Sequence, residues 1–178
     1  RPGGVTQTKE SPEFPARFRA PFSAMYVSDI DEESLSACVT RLRALGAPVT
    51  PIHARAANAV PQMVRSVSPY GLHFAFIDPY NLGALDFALI KGLAKLKRID
   101  MMIHLSIMDL QRNLRAYIKA DESVLDTLAP GWRGAVDTTG SQRVVRQRVI
   151  QYWRDQVANL GVWASTEHRL IAGERNQP

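Results

Sequence analysis

Asp78, Pro79, Tyr80 and Asn81 stand together at the end of an apolar run, Leu72 to Ile77, and their types and spacing could do chemistry. A carboxylate and the Pro79 carbonyl can accept the hydrogens of an amine, and the Tyr80 ring offers a face to a planar acceptor. The four are therefore candidate catalytic residues for transfer to nitrogen, where most of the rate comes from positioning. The same residue types also make turns with no chemistry attached. His104 and Ser106 lie at the end of a second apolar run that starts at Met101, and Asp109, Arg112 and Asn113 follow at i, i+3 and i+4 on one helix face. These five are candidates for contact with a substrate or partner. Each has a plainer reading: a hydrogen-bonded core histidine for His104, and a local helix brace for Asp109 with Arg112.

Asp29 and Asp31 end an earlier run, Ala24 to Ser28, and either could hold a ribose, because a carboxylate accepts two hydroxyl hydrogen bonds. Asp31, followed by Glu32 and Glu33, also suits a helix cap. Asp78, Asp86 and Asp109 are a weaker option for Mg2+, since their spacing supplies no recognised metal loop. No second His or Cys stands at ligand spacing from His104, and no metal is predicted.

The elements that must position these residues alternate. Residues 1–22, with Pro2, Pro12, Pro15, Pro21 and Gly3-Gly4, read as an arm or loop ahead of an α/β domain over 23–178. A strand at Ala24 to Ser28 leads to a helix over Glu32 to Leu45, with Leu35, Cys38, Val39 and Leu42 on one stripe, Asp31 as cap and Gly46 as stop. Val49 to His53 is a weak strand, and Asn58 is the predicted cap of a helix carrying Val60, Met63, Val64 and Val67. The Leu72 to Ile77 run is too short for a helix, and Pro79 cannot donate into a sheet, so the run is a strand that stops there. Further helices are predicted at Leu85 to Leu96, Asp109 to Ile118, Val124 to Leu128 and Gln142 to Leu160. Strands are predicted at Met101 to Leu105 and from Trp163 onward, best at Glu167 to Ile171. Strand and helix in alternation imply a three-layer αβα, mostly parallel sheet, with ligands beyond the carboxyl ends of its strands.

Composition sets loose bounds. The 178 residues are 46% apolar and 22% charged, an ordinary globular mix with no run long enough to span a membrane. A net charge of +5 keeps nucleic acid open as a partner, with concentrations at Lys91, Lys95, Lys97 and Arg98 and at Arg143, Arg146, Arg148 and Arg154. The first group also complements a helix C-terminus, and the second also suits a solvated helix face. Cys38 is the single cysteine and excludes an internal disulfide, which favours a cytoplasmic protein.

The runs FAFIDPYNLGAL, KRIDMMIHLSIMDLQRN and APGWRG resemble the three-Cys-motif partner protein family, bacterial proteins with a Rossmann-like, class I methyltransferase-like fold, over roughly Met25 to Gly161. The resemblance implies S-adenosylmethionine as cofactor, with its ribose on Asp29 or Asp31, and an acceptor pocket lined by Asp78, Pro79 and Tyr80. It also implies a cognate partner carrying a three-cysteine metal-cluster motif. The chain departs from the pattern in lacking the first strand with its glycine-rich turn and the final strands of the sheet. It also has Asp-Pro-Tyr where enzymes methylating bases carry Asp-Pro-Pro-Tyr. Two functions are expected from this: an S-adenosylmethionine-dependent methyltransferase, or an accessory protein that keeps the fold and acts by binding its partner.

Overall fold

A computed structural model describes residues 22–162 and Ser165. The chain divides into two compact units, one ending at His53 and the other beginning at Ala54. Both are mixed α/β, and each contains one small parallel sheet of two strands.

The first unit is β1 (Met25–Asp29), α1 (Glu32–Ala44) and β2 (Val49–His53), with the strands parallel in a register from Met25 opposite Val49 to Asp29 opposite His53. Asp31 starts the helix: its carboxylate accepts from the Ser34 amide at 2.7 Å, which satisfies a donor the first turn would leave open. Gly46 ends it with φ +77°, a conformation costly for any side chain. Leu35, Val39 and Ile52 are buried, whereas Cys38 is only half-buried.

The second unit runs α2 (Ala56–Ser66), β3 (His73–Ile77), a 3-10 turn at Leu82–Ala84, α3 (Phe87–Leu93) and β4 (Ile99–Ile103). It continues through α4 (Ile107–Lys119), α5 (Val124–Leu128), α6 (Trp132–Ala135) and α7 (Gln142–Ala158). β3 and β4 pair in parallel from His73 opposite Ile99 to Ile77 opposite Ile103. Side chains alternate across the pair. Ala75, Ile77, Ile99, Met101 and Ile103 join the core around Leu82, Leu85, Ile90, Leu110, Leu114, Leu125 and Leu128, while Phe74, Phe76 and Met102 on the other face are exposed.

Several boundaries differ from the sequence expectation: β4 is Ile99–Ile103 rather than Met101 to Leu105, α6 is an additional short helix, and the second and third helices are displaced most. The second helix begins at Ala56 with Arg55 at the cap position, so Asn58 lies within its first turn, and it stops at Ser66. The third is shorter than Leu85 to Leu96 because capping residues subdivide that stretch: Asn81 caps the 3-10 turn and Asp86 caps α3 by accepting from Ala88 at 2.8 Å. Apolar spacing marks the buried stripe and does not locate these caps. The arm up to Pro21 and the strand at Glu167 to Ile171 lie outside the described residues. Among the described residues no helix is long and apolar enough to cross a membrane.

The APGWRG run is a clamp. The Trp132 indole donates to Asp126 Oδ1 at 2.7 Å, and Arg133 donates through Nε to Oδ1 at 3.0 Å and through Nη2 to Oδ2 at 2.9 Å. The same guanidinium donates to the Ala120 and Asp121 carbonyls and lies 4.8 Å from the centre of the Trp132 ring. The hydrogen bonds of Arg133, the Ser123 amide and Trp132 hold the Asp126 carboxyl down at about 2. Gly131, at φ +83°, lets the chain turn beside Tyr152, whose hydroxyl donates to the Pro130 carbonyl at 2.8 Å.

α2 and α3 meet at Gly92, where a Cβ would stand 2.5 Å from Val60 Cγ1. Val60 is 3% exposed and has no space to retreat into. Gly92→Ala is therefore expected to destabilise by about 1–3 kcal/mol despite the better helix propensity of alanine. The same change made in a Val60→Ala background should cost much less, as a double-mutant cycle by urea denaturation would read; equal costs in both backgrounds would contradict the close approach.

Candidate functional site

β3 and β4 end side by side, and their register delivers Asp78 and His104 to adjacent positions at the carboxyl edge of the sheet. The Ile77 carbonyl accepts from the His104 amide at 2.8 Å, extending the ladder to the residue that carries the ring. His104 Nδ1 lies 2.8 Å from Asp78 Oδ1. An ionised carboxylate can only accept, so Nδ1 carries the hydrogen, and in the neutral ring Nε2 is left with its lone pair. The two side chains are 47% and 57% exposed, so a solute can reach them. His104 is thus not a core histidine: β4 stops at Ile103 and places the ring beyond the sheet.

Pro79 ends the strand as its missing amide requires, and Tyr80 is 89% exposed. The Asn81 side chain is a cap, its Oδ1 accepting from the Ala84 amide at 3.0 Å. Ser106 likewise caps α4, with its hydroxyl 3.4 Å from the Asp109 amide.

Asp109 holds the loop after β3 in place. Its Oδ2 accepts from the Leu82 amide at 2.8 Å, and its Oδ1 accepts from Asn113 Nδ2 at 2.6 Å and from the Tyr117 hydroxyl at 2.9 Å. Burial pushes this carboxyl up, but the Leu82 amide, Asn113, Tyr117 and the charge of Arg112 together outweigh it and hold the group below its ordinary value. Burial and the hydrogen bond to Asp109 push the Tyr117 hydroxyl up. Asp109 and Asn113 are therefore engaged within the unit, and Arg112 acts on Asp109 only through its charge. Leu82, fully buried, anchors the chain between Asp78 and α3.

In the first unit Asp29 Oδ1 accepts from the Asp31 amide at 2.9 Å, and His53 Nε2 lies 2.8 Å from the Ile30 carbonyl, to which it must donate. Hydrogen bonds from Ser34 hold the Asp31 carboxyl low, with a smaller contribution from His53. Asp31 thus serves as the cap of α1, and Asp29 bonds the Asp31 amide at the end of β1. The flank of α1 lined by Glu32, Glu33, Ser36 and Arg41 forms an open depression in this unit.

The three carboxylates considered for Mg2+ do not form a set: Asp78 pairs with His104, Asp86 caps α3 and Asp109 is saturated by three donors. Among the described residues no group of three His, Cys, Asp or Glu is arranged to hold a metal. The arginines of α7 are also largely engaged. Arg146 donates to Gln111 at 2.7 Å, Arg148 donates to the Asp137 and Thr139 carbonyls and pairs with the Asp137 carboxylate at 2.8 Å, and Arg154 donates to the Ser165 carbonyl.

The sequence places His104 at the end of the strand next to Asp78, and the hydrogen bond between the two side chains is what it does not show. The pair was legible as two apolar runs, each ending in a polar residue, whose parallel pairing would bring those ends together. No family model, curated protein or solved structure matches the chain.

Asp109→Ala should lower the unfolding free energy by roughly 3 kcal/mol, since the substitution leaves the Leu82 amide without an acceptor in a buried setting. The Asp109 contribution is complete above the unfolded carboxyl value of about 3.9 and disappears as pH falls through the lower folded value. The gap between wild type and variant in urea denaturation should hold from pH 7 to about pH 5 and narrow below about pH 4. A gap that widens in acid would contradict this assignment.

Proposed function

We propose that the chain is a methyltransferase-like protein on a Rossmann-like, doubly wound sheet, with its acceptor site at the carboxyl edge formed by Asp78 and His104. The observation carrying the proposal is the reachable Asp and His pair at the ends of two adjacent parallel strands, the edge where open α/β sheets bind their ligands. The topology supports it as well. β1-α1-β2 and β3-α3-β4 each give a parallel pair of sequence neighbours. Parallel strands joined through a helix are the repeating unit of a doubly wound sheet.

S-adenosylmethionine, when bound, supplies an electrophilic methyl group. Asp29, at the end of β1, has the chemistry to take its ribose hydroxyls, while Asp31 caps α1. Of this chain's own residues, Asp78 orients the His104 ring, Asp109 fixes the loop through Leu82, and Tyr80 offers an aromatic face. The net charge of +5 keeps nucleic acid as a candidate substrate class, although Arg146, Arg148 and Arg154 of α7 also bond protein oxygens. A cytoplasmic setting agrees with the single cysteine.

A second reading has its own observation. Phe74, Phe76 and Met102 are 55%, 62% and 56% exposed on one face of the β3–β4 pair, and parallel sheets ordinarily have both faces covered. An accessory protein acting by binding a three-Cys-motif partner would use such a face. Calorimetric titration of S-adenosylmethionine into the full-length gene product separates the two readings. The enzyme reading expects saturable binding that Asp29→Ala weakens at least about tenfold, or 1.4 kcal/mol. No binding by the wild-type protein would overturn it in favour of the partner reading.

A further inference from the structure

The carboxylate of Asp78 was expected to receive the hydrogens of an amine directly. In the structure its Oδ1 accepts from His104 Nδ1 at 2.8 Å, and in the neutral ring Nε2 keeps a lone pair that can act on an incoming solute beside the second Asp78 oxygen. That changes the acceptor chemistry. A neutral amine already has a lone pair to offer and can lose its proton afterwards, whereas a hydroxyl becomes a strong nucleophile only as its proton leaves. A ring whose Nδ1–H is fixed by a carboxylate, with Nε2 basic and accessible, is a device for removing such a proton.

The surroundings narrow the class further. Phe76 and Met102 are register partners, each stands two residues before a member of the pair, and both are more than half exposed. They put apolar and aromatic surface on the exposed face of the same two strands. Among the described residues no cationic side chain hydrogen-bonds to Asp78 or His104, and the Asp109 carboxylate of α4 is committed to Leu82, Asn113 and Tyr117. An anionic acceptor would therefore find no countercharge on the pair itself.

Resting on the reading of this edge as the acceptor site, we infer that His104 is a general base, positioned by Asp78, for the hydroxyl of an apolar, ring-bearing acceptor such as a phenol. In the step the O–H bond breaks, its electron pair stays on the acceptor oxygen, and the proton bonds to the Nε2 lone pair. The imidazolium so formed is stabilised by the Asp78 carboxylate against Nδ1. Asp78 is accordingly a positioning residue, and His104 is the catalytic one.

Long-range 1H–15N correlation NMR of the imidazole rings in the cofactor-free protein at neutral pH tests this without a known substrate. The expected spectrum shows His104 as the single tautomer protonated on Nδ1. Asp78→Asn is expected to abolish that preference while the amide spectrum stays folded. Phenol added as the hydroxyl probe should shift the His104 Nε2 resonance, and anisole, which has the same ring without the O–H, should leave it in place. A wild-type ring protonated on Nε2, an unchanged tautomer in Asp78→Asn, or an equal response to phenol and anisole would each overturn the inference. Because none of these readouts involves S-adenosylmethionine, failure of the methyltransferase reading would show separately, in the calorimetric titration. Once an acceptor is turned over, His104→Gln should lower kcat by about 10²–10⁴-fold.

Discussion

The arrangement of the second unit depends on one carboxylate meeting three donors. Asp109 reaches from the first turn of α4 across to the Leu82 amide, and it satisfies Asn113 and Tyr117 with its other oxygen. The loop after β3 contains a proline, a cap and only three residues of 3-10 turn, so little in its own backbone fixes its course. Asp109 supplies the missing constraint from 27 residues away. With Leu82 pinned and fully buried, the chain leaves Ile77 in one direction, and Asp78 stands where the His104 ring can meet it.

That dependence separates residues that build the site from those that could act in it. Asn81 and Ser106 are engaged as caps, and the Asp109 carboxylate is engaged by Leu82, Asn113 and Tyr117. Asp78, His104 and Tyr80 remain open to solvent. The APGWRG run falls on the building side too: its arginine and tryptophan converge on Asp126, and its glycine lets the chain pass Tyr152. Much of the basic character that suggested a polyanion partner likewise serves to hold carbonyls and carboxylates, as Arg148 does at Asp137 and Thr139.

The elements were legible where the signal is local. Asp31 before an apolar stripe and Gly46 after it defined α1, and Ser141 announced α7, because a cap and a stop act within a few residues of the helix they bound. β3 is readable as a short apolar run ended by Pro79, and β4 as the run Met101 to Leu105, which is displaced toward the C-terminus from the strand Ile99–Ile103. Long-range partners were less accessible. Asp109 looked like one member of an i, i+3 brace with Arg112, and only tertiary structure brings it the Leu82 amide. His104 looked like a core residue because the apolar run was read through it, whereas the strand stops one residue earlier. Acidic candidates at strand ends are found from sequence, but which backbone amide each carboxylate accepts from depends on backbone geometry: Asp29 takes the Asp31 amide and Asp31 the Ser34 amide that opens α1.

The most direct test of this account is amide hydrogen exchange at Leu82, resolved by NMR in the native protein. If Asp109 fixes the loop, the Leu82 amide exchanges only through the same opening that exposes the buried amides of Leu110 and Leu114, and its protection matches theirs. Exchange at Leu82 as fast as an exposed loop amide, with α4 still protected, would contradict the account, because the loop would then be positioned by nothing that the Asp109 carboxylate does.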